Sequence, residues 1–298
     1  CDRSALVGRL RARGKDVLDL IHRLSTNKVD TLQPGQGAPT VLTDDRGRIV
    51  DLLVLMHLGS HVLVLTSPQT REKVIHWLDR FTFGEDITVE DETEATGMLT
   101  VVGPKAEALL RDAGLTAGGM HPFGCATDSL GGMEVALLRT DPLGLPGYDL
   151  VVPLATVSDA RERLLAAGGS RVMVLDEGAW ELLRVSRGVP AYGRELGEAY
   201  NPLEAGLVGA ISFSKGCYVG QEVIARLDTY KKLQRRLVTL DFSPGAVVSP
   251  GDALEMEGKA VGLVTSVAAL PQGRVVGLGY VRVGVLQPGL RLGVVGRG

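Results

Sequence analysis

The stretch that most limits how this chain can fold is residues 49–56, Ile-Val-Asp-Leu-Leu-Val-Leu-Met. A strand with one wet face alternates apolar and polar residues; this run is apolar on both faces, as in a strand covered on both sides. It falls far short of the roughly 18 apolar residues that a membrane-spanning helix needs. Asp44-Asp45-Arg46-Gly47 precedes it as a turn, with Gly47 where a positive φ is required, and Leu58-Gly59-Ser60 follows as a second turn. Residues 39–43 and 61–66 then read as neighbouring strands of a meander. Asp51 is the one ionisable group in the run. A carboxylate there has to be paired, hydrogen-bonded or facing a cavity; the alternative is an edge strand with Asp51 in solvent.

Downstream, Ser67-Pro68 reads as the N-cap and first-turn proline of a helix with Val74, Ile75, Trp77, Leu78 and Phe81 on one face. Residues 98–102 read as a strand, 104–113 as a helix closed by Gly114, and 133–139 and 148–152 as paired strands. Ser158 caps a helix ended by Gly168-Gly169, residues 171–175 read as a further strand, and Asp176 caps a helix reaching about Arg187. Such alternation, with hairpins between, describes α+β units of the split βαβ kind. After about residue 236 the helical period stops. Residues 237–242, 260–267, 275–283 and 290–295 are short strands punctuated by Gly and Pro, the pattern of a small closed or half-closed barrel. The chain thus divides into α+β segments 1–96 and 97–232 and a C-terminal β segment 233–298.

Composition narrows the partners. The 298 residues carry 32 Lys and Arg against 35 Asp and Glu, so no global positive charge draws the chain to nucleic acid. Cys1, Cys125 and Cys217 are odd in number and far apart, which fits neither a disulfide framework nor a zinc motif and points to a reducing, cytoplasmic compartment. Residue 1 is Cys rather than Met, so residues before it are expected, a targeting leader among the options. His57 and His61 lie four apart, but across the Gly59-Ser60 turn, and no metal site is expected there. Gly277-Leu278-Gly279 fails as a dinucleotide fingerprint because Arg282 stands in place of the third glycine.

One segment stands apart: Lys215-Gly216-Cys217-Tyr218-Val219-Gly220-Gln221-Glu222, with Arg226 four residues on. Two glycines bracket the Cys–Tyr pair, so the backbone can turn tightly or approach a ligand. Lys215 and Arg226 would favour thiolate at Cys217, which also lies just upstream of a predicted helix start at Gln221. The alternative is a structural cysteine in a loop. Arg226, Lys231, Lys232, Arg235 and Arg236 form the densest basic stretch, fit either to grip a polyanion or to stand solvated as a linker.

The octet with Ala225-Arg226 resembles the signature of the YgfZ family, folate-binding proteins of iron–sulfur enzyme maintenance. The likeness extends through Arg187-Gly188-Val189-Pro190, residues 201–207 and Ile211-Ser212-Phe213, and early through residues 24–29, 32–36 and 47–51. These stretches are also similar to the aminomethyltransferase, or T protein, of the glycine cleavage system. The resemblance implies an α+β fold of two interleaved split-βαβ-like lobes plus a small C-terminal β-barrel, arranged around a central folate-sized channel. It implies tetrahydrofolate, or a one-carbon derivative, as cofactor, with Asp51, Asn27, Tyr218, Gln221, Glu222 and Arg226 at the folate site. Cys217 becomes the reactive thiol and Lys215 its activating neighbour. Partners would be folate and iron–sulfur client proteins, with at most a weak RNA contact and no membrane.

Departures separate the cousins. Of the aminomethyltransferase's Asp-Asp pair only Asp51 stands here, Ser186 occupies the place of its pterin-holding Glu, and Gln221 that of an Arg. The aminomethyltransferase has no counterpart of Cys217. The loss of a charge-assisted hydrogen bond to the pterin is worth about 1.5–3 kcal/mol. The expectation is therefore a folate-binding factor for iron–sulfur protein maturation or repair, with aminomethyltransferase as the alternative and an accessory protein of tRNA modification as a further one.

Overall fold

A computed structural model describes residues 1–296; residues 297 and 298, the end of the predicted C-terminal segment, lie outside the described residues. In chain order the elements are β1 (Gly8–Arg13), α1 (Val17–Leu24), β2 (Gly37–Thr43), β3 (Ile49–His57), β4 (Val62–Thr66), α2 (Arg71–Arg80), β5 (Thr88–Asp91), β6 (Thr96–Val102), α3 (Ala106–Asp112), β7 (Cys125–Leu130), β8 (Met133–Arg139), β9 (Gly147–Pro153), α4 (Val157–Gly168), α5 (Glu177–Ser186), α6 (Gln221–Thr229), β10 (Arg235–Phe242), β11 (Ala253–Met256), β12 (Lys259–Ala269), β13 (Val275–Arg282) and β14 (Gly293–Val295). They form two compact units interleaved in sequence. Unit 1 holds residues 1–42, 50–176 and 210–218; unit 2 holds 43–49, 177–209 and 219–298.

Unit 1 contains two sheets, in strand orders β2-β3-β4-β1-β5 and β6-β9-β8-β7. The apolar run 49–56 becomes β3, an interior strand between β2 and β4. Both of its faces are covered: Leu53 and Leu55 point one way with no exposure, and Val54 and Met56 the other, into a cluster with Leu63, Leu65, Met98, Leu138 and Val151. That cluster draws on both sheets. The edge-strand alternative for Asp51 therefore does not hold. Helices α3 and α4 cover the second sheet through Leu110, Ala160 and Leu164 against Leu137, Leu150 and Val152. Strands β8 and β9 pair antiparallel, Ala136 facing Val151.

Three local expectations are corrected, the first being the cap at Ser158, which lies inside α4 because that helix starts at Val157 with Thr156 in the N-cap position. Residues 172–176 are not a strand: Met173 is 78% exposed and Val174 50%, so no sheet edge receives them. Ser67 does not cap the helix after it; its hydroxyl turns to Asp51 instead, and a short 3-10 turn at Pro68–Thr70 leads into α2.

Unit 2 is built on one antiparallel sheet of order β10-β13-β12-β11-β14. Helix α5 packs Leu182 and Val185 on Ala268, Val276 and Leu278, while Leu254, Val264 and Val281 carry a second cluster with Leu240 and Phe242. Bulges at Leu254/Glu255 and Val264/Ser266 bend this sheet. It does not close into the expected barrel among the described residues. Its last strand, β14, has three residues and pairs with β11, so β10 and β14 remain as edges.

Candidate functional site

The octet straddles the two units, with residues 215–218 in unit 1 and 219–222 in unit 2. In unit 1 the Lys215 ammonium is buried against the C-terminal end of α1. It donates to the carbonyl oxygens of Ser25 at 2.6 Å and Asn27 at 3.0 Å, and to that of His22. The last carbonyls of a helix lack intrahelical partners and carry its negative end, so a cation is the natural cap. Burial pushes Lys215 down to about 8, with nearby Asp30 opposing the shift. Its ammonium also lies 5.2 Å from the centroid of the Tyr218 ring. Tyr218 is itself buried, which raises its phenol to about 12. Cys217, between them in sequence, is exposed. That excludes the buried structural cysteine.

The same corner of unit 1 is tied by Thr26, whose hydroxyl donates to the Ala210 carbonyl and whose own carbonyl accepts the Ser212 amide at 2.9 Å. Asn27 is half-buried. Its side-chain amide donates to the Pro39 carbonyl and its side-chain oxygen accepts the Lys28 amide. It works as a brace between α1 and β2.

Asp51 is fully buried and surrounded by donors. Oδ1 accepts the Leu52 amide at 2.9 Å and the Ser67 hydroxyl at 2.7 Å; Oδ2 accepts the Ser67 amide at 2.9 Å and the Thr70 hydroxyl at 2.5 Å. Desolvation raises its pKa, and these hydrogen bonds only partly oppose the rise. The Thr70 hydroxyl also lies 2.9 Å from the Ser67 carbonyl. One hydroxyl proton cannot serve both oxygens fully, and the shorter contact is the one to Asp51.

In unit 2, Thr43 Oγ1 donates to the Val219 carbonyl at 2.6 Å, and Gly220 opens α6 with φ 82°. A Cβ on Gly220 would overlap the Asp44 carbonyl and lie 2.9 Å from Gly47 Cα. The turn at 44–47 is thus pressed directly on the start of α6, with Ile224 and Val223 beside Gly47. Gln221 is half-buried, whereas Glu222 and Arg226 are exposed on α6.

Of the basic stretch, Arg226, Lys231, Lys232 and Arg236 face solvent, and Lys231 pairs with Asp228. Arg235 is diverted into the fold. Its guanidinium lies 4.6 Å from the Tyr200 ring centroid and 5.4 Å from that of Tyr280, and it pairs with Glu204.

A network that the sequence did not announce lies beside these residues. Arg184 donates to Glu195 at 3.0 Å and to Ser266 at 2.8 Å, Ser266 donates to Glu195 at 2.6 Å, and Glu195 is fully buried. Its members are dispersed over three stretches of sequence, and only a charge placed inside an amphipathic helix hinted at it. Glu181 and Arg194, which pair with one another, line a cavity of about 600 Å³ with Tyr200, Leu263 and Thr265. Ser186 is exposed and spends its hydroxyl on the Leu183 carbonyl at 3.0 Å. No helix among the described residues is long and apolar enough to cross a membrane.

The fold is aminomethyltransferase-like. It superposes on a crystal structure of the glycine cleavage system aminomethyltransferase T from Bartonella henselae with a TM-score of 0.87, over 100% of this chain and 81% of that one, at 22% identity. Residues 1–215 match the GCVT N-terminal domain model, and the chain belongs to that family. It is 31% identical to an aminomethyltransferase of Rubrobacter xylanophilus over 92% of this chain and 74% of that protein. A putative chloroplastic transferase of Arabidopsis thaliana is 32% identical over 92% of this chain, which spans 63% of that relative's length. These relatives favour the transferase alternative over the expected iron–sulfur maturation role, and they do not reach the narrower YgfZ assignment.

Proposed function

We propose that this protein binds tetrahydrofolate or a one-carbon derivative of it and acts as a one-carbon transferase of the aminomethyltransferase type. The observation that carries this reading is 31% identity to an aminomethyltransferase along nearly the whole chain. When bound, a reduced folate supplies the amine that accepts the one-carbon unit. The residues fit such a ligand in part. Exposed Arg226, Lys232 and Arg236 suit an anionic glutamyl tail, and exposed Glu222 offers a carboxylate. Asp51 has every acceptor direction filled by unit 1 donors, and in this reading it and Asn27 hold the strands rather than the ligand. Calorimetric titration with tetrahydrofolate and its formyl and methylene forms tests binding. Formation of methylene-tetrahydrofolate from an aminomethylated lipoyl carrier tests transfer. Binding without transfer would reject the transferase and keep the folate site.

Exposed Cys217 within the octet favours a second reading, the YgfZ-like maturation factor with a working thiol. On that reading Cys217→Ala keeps folate binding and loses rescue of iron–sulfur enzymes in a deficient host. Full rescue by Cys217→Ala would remove it.

A further inference from the structure

The sequence pairs Lys215 with Cys217 as cation and thiol, but the geometry points to a different division of labour. We infer that Lys215 is a positioning residue: its ammonium grips the C-terminal carbonyls of α1 and thereby fixes the backbone that presents Cys217 to solvent, instead of acting on the sulfur. The inference rests on the reading of Cys217 as a working thiol.

Three observations carry it. An ammonium has three N–H donors, and three carbonyls, those of His22, Ser25 and Asn27, converge on this one. Lys215 is 9% exposed while Cys217 is exposed, so the cation is spent inside the fold and the sulfur outside it. The carbonyls converge on one nitrogen from both the last turn of α1 and the residues after it, so the contact fixes where residues 215–218 leave unit 1. Among the groups facing this ammonium are those carbonyls, the Tyr218 ring, His22 and Asp30. With Gly216 next to it, a position that has open space around a Cβ and no packing of its own, the loop has little else to order it.

Lysine suits this place as a point charge on a flexible stem; the planar guanidinium of arginine does not fit three acceptors that meet at one atom. That difference separates a grip from a field. The test follows alkylation of Cys217 by iodoacetamide between about pH 6 and 10, read on the peptide that carries it, together with amide exchange across residues 211–218. It is run on the full chain and on its Lys215→Met and Lys215→Arg variants. The expected result is an unchanged pH midpoint in both variants and amide exchange about tenfold faster or more in both. A midpoint raised by about one pH unit in Lys215→Met, or exchange left unchanged in Lys215→Arg, overturns the inference. Should Lys215→Met not fold, Lys215→Arg decides alone, because a field on the sulfur survives in it and the grip does not. Failure of the thiol reading itself shows elsewhere, as full rescue by Cys217→Ala.

Discussion

At the scale of the residue, Asp51 is where desolvation and hydrogen bonding compete. Burial raises its pKa from 3.8, and the hydrogen bonds from Thr70, Ser67 and Leu52 oppose the rise. With the folded-state pKa above the unfolded value, the folded state binds this proton more readily than the unfolded chain does. Stability due to this group is therefore present below about pH 4 and declines as pH rises toward the folded-state value. Asp51→Asn removes the titration, so the wild-type minus variant difference in unfolding free energy should shrink between pH 4 and pH 7. Urea unfolding at the two pH values measures it, and a difference that grows with pH would show the carboxylate to be ionised. A lone carboxylate in an apolar run was visible in the sequence. Its partners were not, because Ser67 and Thr70 reach it only once β3 and β4 lie side by side.

Among the elements, the start of α6 depends on two glycines from distant parts of the chain. Gly220 has φ 82° and Gly47 φ 67°, and their backbones meet with no room for a side chain at Gly220. Gly220→Ala adds left-handed strain and a collision with the Asp44 carbonyl, together costing about 2 kcal/mol. The expected drop in melting temperature is about 4–8 °C, measurable by circular dichroism; a variant as stable as the wild type would mean that the turn yields easily. The sequence marked both glycines as turn residues, since a need for positive φ is local. Their contact is not local. The strand expected at 171–175 failed for the complementary reason: residues of strand-forming type make a strand only where an edge is free to pair with them, and residues 172–176 meet none.

For the whole molecule, the decisive fact is that unit 2 gathers residues from both sides of unit 1's last segment. Helix α5 belongs with the C-terminal sheet, on which Leu182 and Val185 are buried. A chain ending at residue 232 would leave that helix face bare. It should bind a hydrophobic dye and aggregate, whereas a C-terminal segment that is a separable appendage predicts a well-behaved fragment; light scattering distinguishes the two. Sequence alone determined the apolar run, the change of pattern near residue 236, the turn glycines and the octet, because periodicity, φ requirements and motif spacing are properties of neighbouring residues. Tertiary structure decided that Asp51 is enclosed, that Lys215 caps a helix, that Arg235 leaves the basic face for two tyrosines, and that the last strands form an open sheet. Those outcomes rest on burial and on which donors and acceptors are brought within 3 Å or so of one another, and these are set by residues scores of positions apart.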